Sequence, residues 1–421
     1  MEASVFGHPP DPTVADGGKL FSPLTLRNVI LKNRIIRAAT YEGMADADGV
    51  PGEALVPLYR HLAAGGAGAI ITGFVYISQA GRAMQPRQGG IDNPEKTAAW
   101  QKIVAQVKSS APDVRLFMQL AHAGRQTRQV VTGLPVYGAS SRRCTYFRQK
   151  TTMLSGQAIE SIIEDFARAA GRAQAAGFDG IQLHAAHGYL IHQFLSPWTN
   201  TRRDRWGDPT LSLEKTVSAV KAACGDHYPV LVKLSAADDN TPGIRIEDTI
   251  KTVKCLEPLG IDAVEISYGT MEYALNIIRG ACPVDLVLRI NPLFNKIPRL
   301  LRGIWKALRG DAYKARFYPF EEQYNAKAAV RIKQNTTLPV ITVGGIRSLR
   351  GMTDCLVRDG MDAVSLCRPL ICEPDLPLKL QTGIALHSAC TNCNRCTIYC
   401  DSPHPLRCYR NERGNSDENY R

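Results

Sequence analysis

Eight short apolar runs punctuate the chain: Ile35–Ala39, Ala69–Gly73, Leu116–Leu120, Gly180–His184, Val230–Leu234, Ala263–Ser267, Val340–Val343 and Ala363–Leu366. Longer segments with helical spacing separate them. In one of these, Ile159, Ile162, Ile163, Phe166, Ala170 and Ala173 share a face, as a helix covering a sheet requires. Three runs follow nearly the same phrase: Gly177-Phe-Asp-Gly-Ile, Gly260-Ile-Asp-Ala-Val and Gly360-Met-Asp-Ala-Val. Each glycine is expected to end a helix in a left-handed turn and hand the chain to a buried strand. Strands apolar on both faces and alternating with helices mean a parallel sheet. Eight such units predict a closed (β/α)8 TIM barrel, with an open doubly wound sheet as the alternative. No GxGxxG follows an early strand, which disfavours the open sheet.

One segment exceeds what a barrel needs: about seventy residues lie between Ser267 and Val340. The excess, about 276–320, reads as a long basic insertion between strands six and seven. Within it Ile297, Leu300, Leu301, Ile304, Trp305 and Leu308 fall on one helical face, while Lys296, Arg299, Arg302, Lys306 and Arg309 face away. Such a helix either docks on the barrel or meets something else: a membrane surface or partner through 293–309, or substrate phosphates.

With 421 residues and 44% hydrophobic content the chain can bury a large core, which excludes disordered and fibrous classes. The N-terminal stretch lacks a basic region followed by an apolar run, and no window is apolar enough to span a bilayer, so a cytoplasmic protein is expected. The net charge is +12, and Leu286–Arg316 holds eight Lys or Arg against one Asp. That is a local basic surface without any nucleic-acid-binding motif, and no nucleic acid is expected as a partner.

Five of the twelve cysteines crowd into Cys390-x2-Cys393-x2-Cys396-x3-Cys400-x7-Cys408. In a reducing compartment this argues for metal ligands or buried thiols over disulfides. Zinc held by four thiolates and an iron-sulfur cluster both tolerate the spacing.

Residues at the C-terminal ends of barrel strands do the chemistry. There His184-Ala-Ala-His187-Gly-Tyr189 places two imidazoles and a phenol within six residues. No carboxylate sits at zincin spacing; a polar use, two N–H groups gripping a carbonyl while the phenol supplies a proton, suits them. His192 reads as structural.

The stretch His184-Ala-Ala-His-Gly-Tyr-Leu-Ile-His-Gln-Phe-Leu-Ser-Pro-Trp-Thr-Asn resembles the active-site signature of the Old Yellow Enzyme family of flavin oxidoreductases. The likeness extends from Leu20-Phe-Ser-Pro-Leu through Gln119-Leu-Ala-His-Ala-Gly-Arg to Gly344-Gly345 and Arg368. It implies a barrel holding non-covalent FMN over residues 1–380, NAD(P)H as possible reductant, and a small-molecule substrate such as an enone or a CoA ester. By resemblance Ala39, Thr40 and Gly73 lie along the isoalloxazine edge and Gln119 bonds its pyrimidine. Lys233, where arginine is common, sits near N1 and O2. Gly344, Gly345 and Arg368 hold the phosphate, with Cys367 where a glycine often stands. His184 and His187 would hold the carbonyl oxygen of an α,β-unsaturated compound, and Tyr189 would protonate its α-carbon.

The cysteine motif resembles the four-iron four-sulfur site of the family branch that includes trimethylamine dehydrogenase and 2,4-dienoyl-CoA reductase. It implies Cys390, Cys393, Cys396 and Cys408 as ligands in a Cys-rich extension over 381–421, with Cys400 as an alternative ligand. No FAD-binding fingerprint is present, so a separate electron-transfer partner is expected, as is an oligomer. Alternatives to an ene-reductase are an oxidative dehydrogenase and a flavin/iron-sulfur subunit of a larger complex.

Overall fold

The computed structural model describes residues 18–411. The N-terminal stretch read for a leader and the end of the polar tail lie outside these residues. Eight parallel strands close on themselves: β1 (Ile35–Arg37), β2 (Ala69–Ile71), β3 (Arg115–Ala121), β4 (Gly180–Ala185), β5 (Val230–Ser235), β6 (Ala263–Ser267), β7 (Val340–Val343) and β8 (Ala363–Leu366). Closure is explicit in the pairing of β8 with β1, where Val364 stands opposite Ile35 and Leu366 opposite Arg37. The predicted barrel is therefore the fold, and the open sheet is excluded.

Alternation along the strands divides the side chains between two cores. Outward residues such as Ile70, Met118, Ile181, Val232, Val264 and Val340 pack against the surrounding helices. Among these are α1 (Leu55–Ala64), α2 (Pro94–Ser110), α3 (Gly156–Ala175), α4 (Leu211–Cys224) and α5 (Ile246–Leu256). In α3 the predicted face is the packed one, and Ser155 caps the helix by accepting from the Ala158 N–H. Inward residues Ile36, Phe117, Leu231, Ala263, Ile341 and Ala363 fill the barrel floor, plugged from below by Leu24, Leu26 and Leu31 of a hairpin. Gly180 belongs to this layer by necessity, since a Cβ there would stand 2.5 Å from the Phe117 ring.

The repeated phrase has a second meaning. Gly177, Gly260 and Gly360 are left-handed as expected, with φ of +90°, +73° and +73°. The aspartate two residues on accepts an N–H at the start of a barrel strand: Asp179 from Leu116, Asp262 from Val230 and Asp362 from Val340. Each carboxylate thus satisfies a strand-end donor that the sheet would leave unpaired.

Between β6 and β7 the insertion carries α6 (Val284–Ile290) and α7 (Arg299–Lys314), followed by α8 (Ala326–Lys333). The Cys-rich extension folds back onto it: Leu286 and Val287 share a small separate core with Ile398, Tyr399 and Tyr409. Of the apolar face of this helix only Trp305 docks, packing on Phe294 and Tyr313. Leu300, Leu301, Ile304 and Leu308 point to solvent instead. No helix among the described residues is long and apolar enough to cross a membrane.

Candidate active site

A cavity of about 660 Å³ opens over the C-terminal strand ends. His184 is the fifth residue of β4, and the chain then turns through His187 and Gly188, both left-handed at φ +61° and +79°. Glycine is required at 188, where a Cβ would stand 2.0 Å from the Gln126 amide. Left-handed backbone at His187 is strained for a residue with a side chain. Met271 N–H and Gln126 Nε2 both donate to its carbonyl and hold it. The outcome is that His184, His187 and Tyr189 line one cavity. The His184 ring lies 5.0 Å from that of His187 and 4.7 Å from that of Tyr189, centroid to centroid, with Phe74 packed 5.4 Å from the tyrosine.

Burial, helped by Lys233 and His192, holds His184 well below the usual histidine range, and burial does the same for His187, aided by His184, Lys233 and His192. Both rings are therefore neutral near pH 7. The Ala186 N–H donates to His184 Nδ1, which places the ring proton on Nε2. His187 Nε2 lies 2.7 Å from Ser267 Oγ, and a ring proton on Nδ1 requires that hydroxyl to donate. Burial pushes the Tyr189 phenol up, with Asp401 and Cys400 adding to it, so it carries its proton. His192 is buried against Asp238 at 3.3 Å and stays outside the cavity, as its structural reading required.

Beneath these side chains the barrel interior is polar, where the sequence reads as apolar. Gln119 donates to Gln182 at 2.7 Å, Gln182 to Glu265 at 2.6 Å, and Lys233 to Glu265 at 3.3 Å. Glu265 is fully buried, and Lys233 is the cation that compensates it. This chain orients the Lys233 ammonium and the Gln119 amide along the cavity floor, where Ala39, Thr40 and Cys367 join them. Thr40 Oγ1 donates to the Ala38 carbonyl and touches the Cys367 sulfur at 3.3 Å. Gly73 is not among the residues lining this cavity. Its N–H is bonded to Glu42 at 2.7 Å, and it lines a narrow neighbouring pocket with Glu42 and Phe74.

A smaller cavity of about 100 Å³ adjoins the large one, sharing Ala39, His187, Lys233, Cys367 and Arg368. Gly344 and Gly345 line it with φ of +127° and +74°. Any Cβ at these positions would stand about 2.5 Å from Tyr324 or the Glu321 carbonyl. Arg368 is buried there, one guanidinium nitrogen donating to Asn394 at 2.6 Å. Arg347, unremarked in the sequence although it stands two residues after the glycine pair, lines the same cavity. Bare backbone beside two arginines suits a phosphate, and a polar floor with a cation suits a flavin ring. The residues present fit FMN.

The cysteines do not fit a metal in the same way. All twelve are free, and among the described residues no group of three or more His, Cys, Asp or Glu side chains is arranged to hold a metal ion. Cys390, Cys393, Cys396 and Cys408 do line one small cavity, together with Cys372 and Arg368. Cys408 is exposed and lies beside Cys372. Burial pushes the Cys372 and Cys396 thiols up to about 12.

Sequence reasoning missed that the extension walls the large cavity through Thr397, Cys400 and Asp401. Asp401 is half-buried, and Asn291 Nδ2 reaches both its carboxylate and the Tyr146 hydroxyl at 2.6 Å. Burial raises its pKa from 3.8 to about 7. A raised carboxyl binds its proton more tightly in the folded state, so its effect on stability is favourable below about pH 4 and lost as pH climbs through about 7. Asp401→Asn is expected to flatten that slope. Between pH 5 and pH 8 the natural chain should lose roughly 3 kcal/mol more than the variant in denaturant unfolding. Parallel profiles for the two chains would refute the buried-acid assignment.

Residues 19–286 match the model of the NADH:flavin oxidoreductase / NADH oxidase family. The NADH oxidase of Thermoanaerobacter brockii is 30% identical over 389 residues, which cover 90% of this chain and 53% of that protein. Among solved structures, a 2-naphthoyl-CoA reductase in complex with 2-naphthoyl-CoA superposes with a TM-score of 0.78 at 22% identity, covering 93% of this chain and 56% of that one. An Old Yellow Enzyme homologue from Zymomonas mobilis gives a TM-score of 0.68 at 25% identity, covering 88% and 94%. The chain thus spans about half the length of the NADH oxidase and of the naphthoyl-CoA reductase. The match over β1 to β6 takes in the imidazole pair, the tyrosine and the Lys233 floor, and on it the chain belongs to the NADH:flavin oxidoreductase / NADH oxidase family, that of the Old Yellow Enzymes.

Proposed function

We propose that the chain is an FMN-dependent oxidoreductase that reduces the C=C bond of an α,β-unsaturated carbonyl compound at the expense of NADH or NADPH. One observation carries this reading: two neutral imidazoles and a protonated phenol share one cavity above a buried lysine. Bound FMN would supply the hydride equivalent to the substrate β-carbon. The chain does the rest. His184 Nε2 and His187 Nδ1 donate to the carbonyl oxygen, and those bonds strengthen as enolate charge develops on it. Neutral rings serve better here than imidazolium ions, because burial beside Lys233 would oppose a further cation. Tyr189 delivers its proton to the α-carbon.

Gly344, Gly345, Arg347 and Arg368 would hold the flavin phosphate, Lys233 the N1 and O2 edge, and Gln119 the pyrimidine. An enoyl-CoA or a bulky enone is the substrate class that best suits the cavity. Its wall carries Phe74, Phe147 and Phe294 for an apolar body, with Arg148 and Arg316 for anionic groups. A relative by fold, the naphthoyl-CoA reductase, binds an aromatic CoA ester.

Anaerobic purification, FMN reconstitution and visible spectroscopy during titration with cyclohexenone test this reading. A bound yellow flavin, reduced by NADPH or NADH and reoxidised by the enone, is the expected result. A reducible flavin that no enone reoxidises would favour an electron-transfer subunit instead. Iron and zinc analysis of the same preparation tests the cysteine cavity separately.

A further inference from the structure

Four of the thirteen large apolar side chains exposed among the described residues lie on α7. Leu300 is 91% exposed, Leu308 76% and Ile304 57%, and Leu301 borders them. At 3.6 residues per turn these four span an arc of about 100°, with Arg309 about 80° beyond one edge and Lys314 about 40° beyond the other. Chance exposure of single apolar residues is ordinary, but a stripe running over two turns of one helix marks a surface that something covers. The opposite side of the helix is already used: Trp305 and Tyr313 pack on Phe294, Arg302 donates to the Asn295 and Ile297 carbonyls, and Lys306 pairs with Asp285. The stripe therefore cannot turn inward without giving up that docking.

Charge identifies the covering partner. The segment Leu286–Arg316 carries eight cations against one Asp. That acid, Asp311, is paired with Lys314 one turn beyond Leu308 and leaves no net negative charge beside the stripe. Among the described residues Lys296, Arg299 and Arg309 have no acidic partner. An apolar stripe with uncompensated long cations around it is the composition of a helix lying in a membrane interface: aliphatic side chains enter the acyl boundary and the cations reach back to headgroups. We propose that α7 is a peripheral membrane-docking helix that binds a bilayer surface containing anionic lipid.

The docked side of α7 also borders the active-site cavity, which Tyr313 lines from the helix, Phe294 from just before it and Arg316 and Phe317 from just after it. Docking would bring the cavity beside the lipid, where an apolar enone or acyl ester partitions. This consequence rests on the proposed function; lipid binding itself does not.

Flotation of the full chain with mixed phosphatidylcholine and phosphatidylglycerol vesicles tests the proposal, with pure phosphatidylcholine as reference. Binding to the mixed vesicles is expected to exceed that to the neutral ones and to weaken with salt. Leu300→Glu/Ile304→Glu/Leu308→Glu should lose at least about a hundred-fold in partition. Arg299→Ala/Arg309→Ala should lose roughly 25-fold, since each cation near an anionic surface is worth about five-fold. Circular dichroism of both variants should match the natural chain, because none of the replaced side chains is buried. Failure of the natural chain to float with the mixed vesicles overturns the proposal, as does undiminished binding by the Glu variant. So does light scattering that shows a vesicle-indifferent oligomer which the Glu variant dissociates, for then a second copy covers the stripe.

Discussion

Replacing Tyr189 by Phe is expected to slow reoxidation of the reduced flavin by an enone by about 10² to 10⁴, the range that a positioned proton donor contributes. Reduction of the flavin by NADPH should stay within about two-fold of the natural rate on the same grounds, because no substrate carbon needs a proton in that half-reaction. The substitution is clean in this setting. The ring keeps its packing on Phe74 and His184, and only the hydroxyl is lost. Burial keeps the phenol protonated well above neutral pH, so the natural enzyme should show no basic limb from Tyr189 in its neutral pH–rate profile. Stopped-flow measurement of the two half-reactions separates the alternatives. Equal slowing of both would mean that the substitution disturbed the flavin site, and no slowing of either would remove the tyrosine from the chemistry.

Much of this architecture is legible in the chain because barrel strands are local signals. Each of the eight runs is a strand, and the three left-handed glycines stand where the repeated phrase puts them. The imidazole pair and the tyrosine are legible for the same reason: they follow one strand within six residues, so little tertiary information is needed to bring them together. What escaped depends on distant partners. Gln119, Gln182, Lys233 and Glu265 lie on four strands and become a network only when the barrel closes, so each looks like an isolated polar residue in an apolar run. Asp401 reaches the cavity through Asn291, 110 residues earlier, across two segments without regular periodicity. The orientation of α7 was ambiguous on its own. Its apolar stripe predicts docking, but a single aromatic cluster at Trp305, Tyr313 and Phe294 decides which side is buried. The cysteine spacing brings its thiols to one cavity, yet spacing alone does not dictate that they converge as ligands.

The Lys233–Glu265 pair is expected to reveal how the barrel interior serves the flavin. Lys233→Met leaves a fully buried carboxylate facing only Gln182, and breaking a buried pair from one side costs about 3 to 5 kcal/mol. Adding Glu265→Gln removes the stranded charge while keeping an amide able to bond Gln182, and the double variant should recover most of that loss. Function should not recover with it. Without the ammonium at the cavity floor, negative charge on a reduced flavin bound there would lose the cation proposed to stabilise it, and the reduction potential of the bound flavin should fall in the single and the double variant alike. Chemical denaturation and redox titration of the four proteins thus read two different quantities from one cycle. If stability and potential returned together in the double variant, Lys233 would serve only to neutralise Glu265. If neither changed in the single variant, the ammonium would not face the cavity at all.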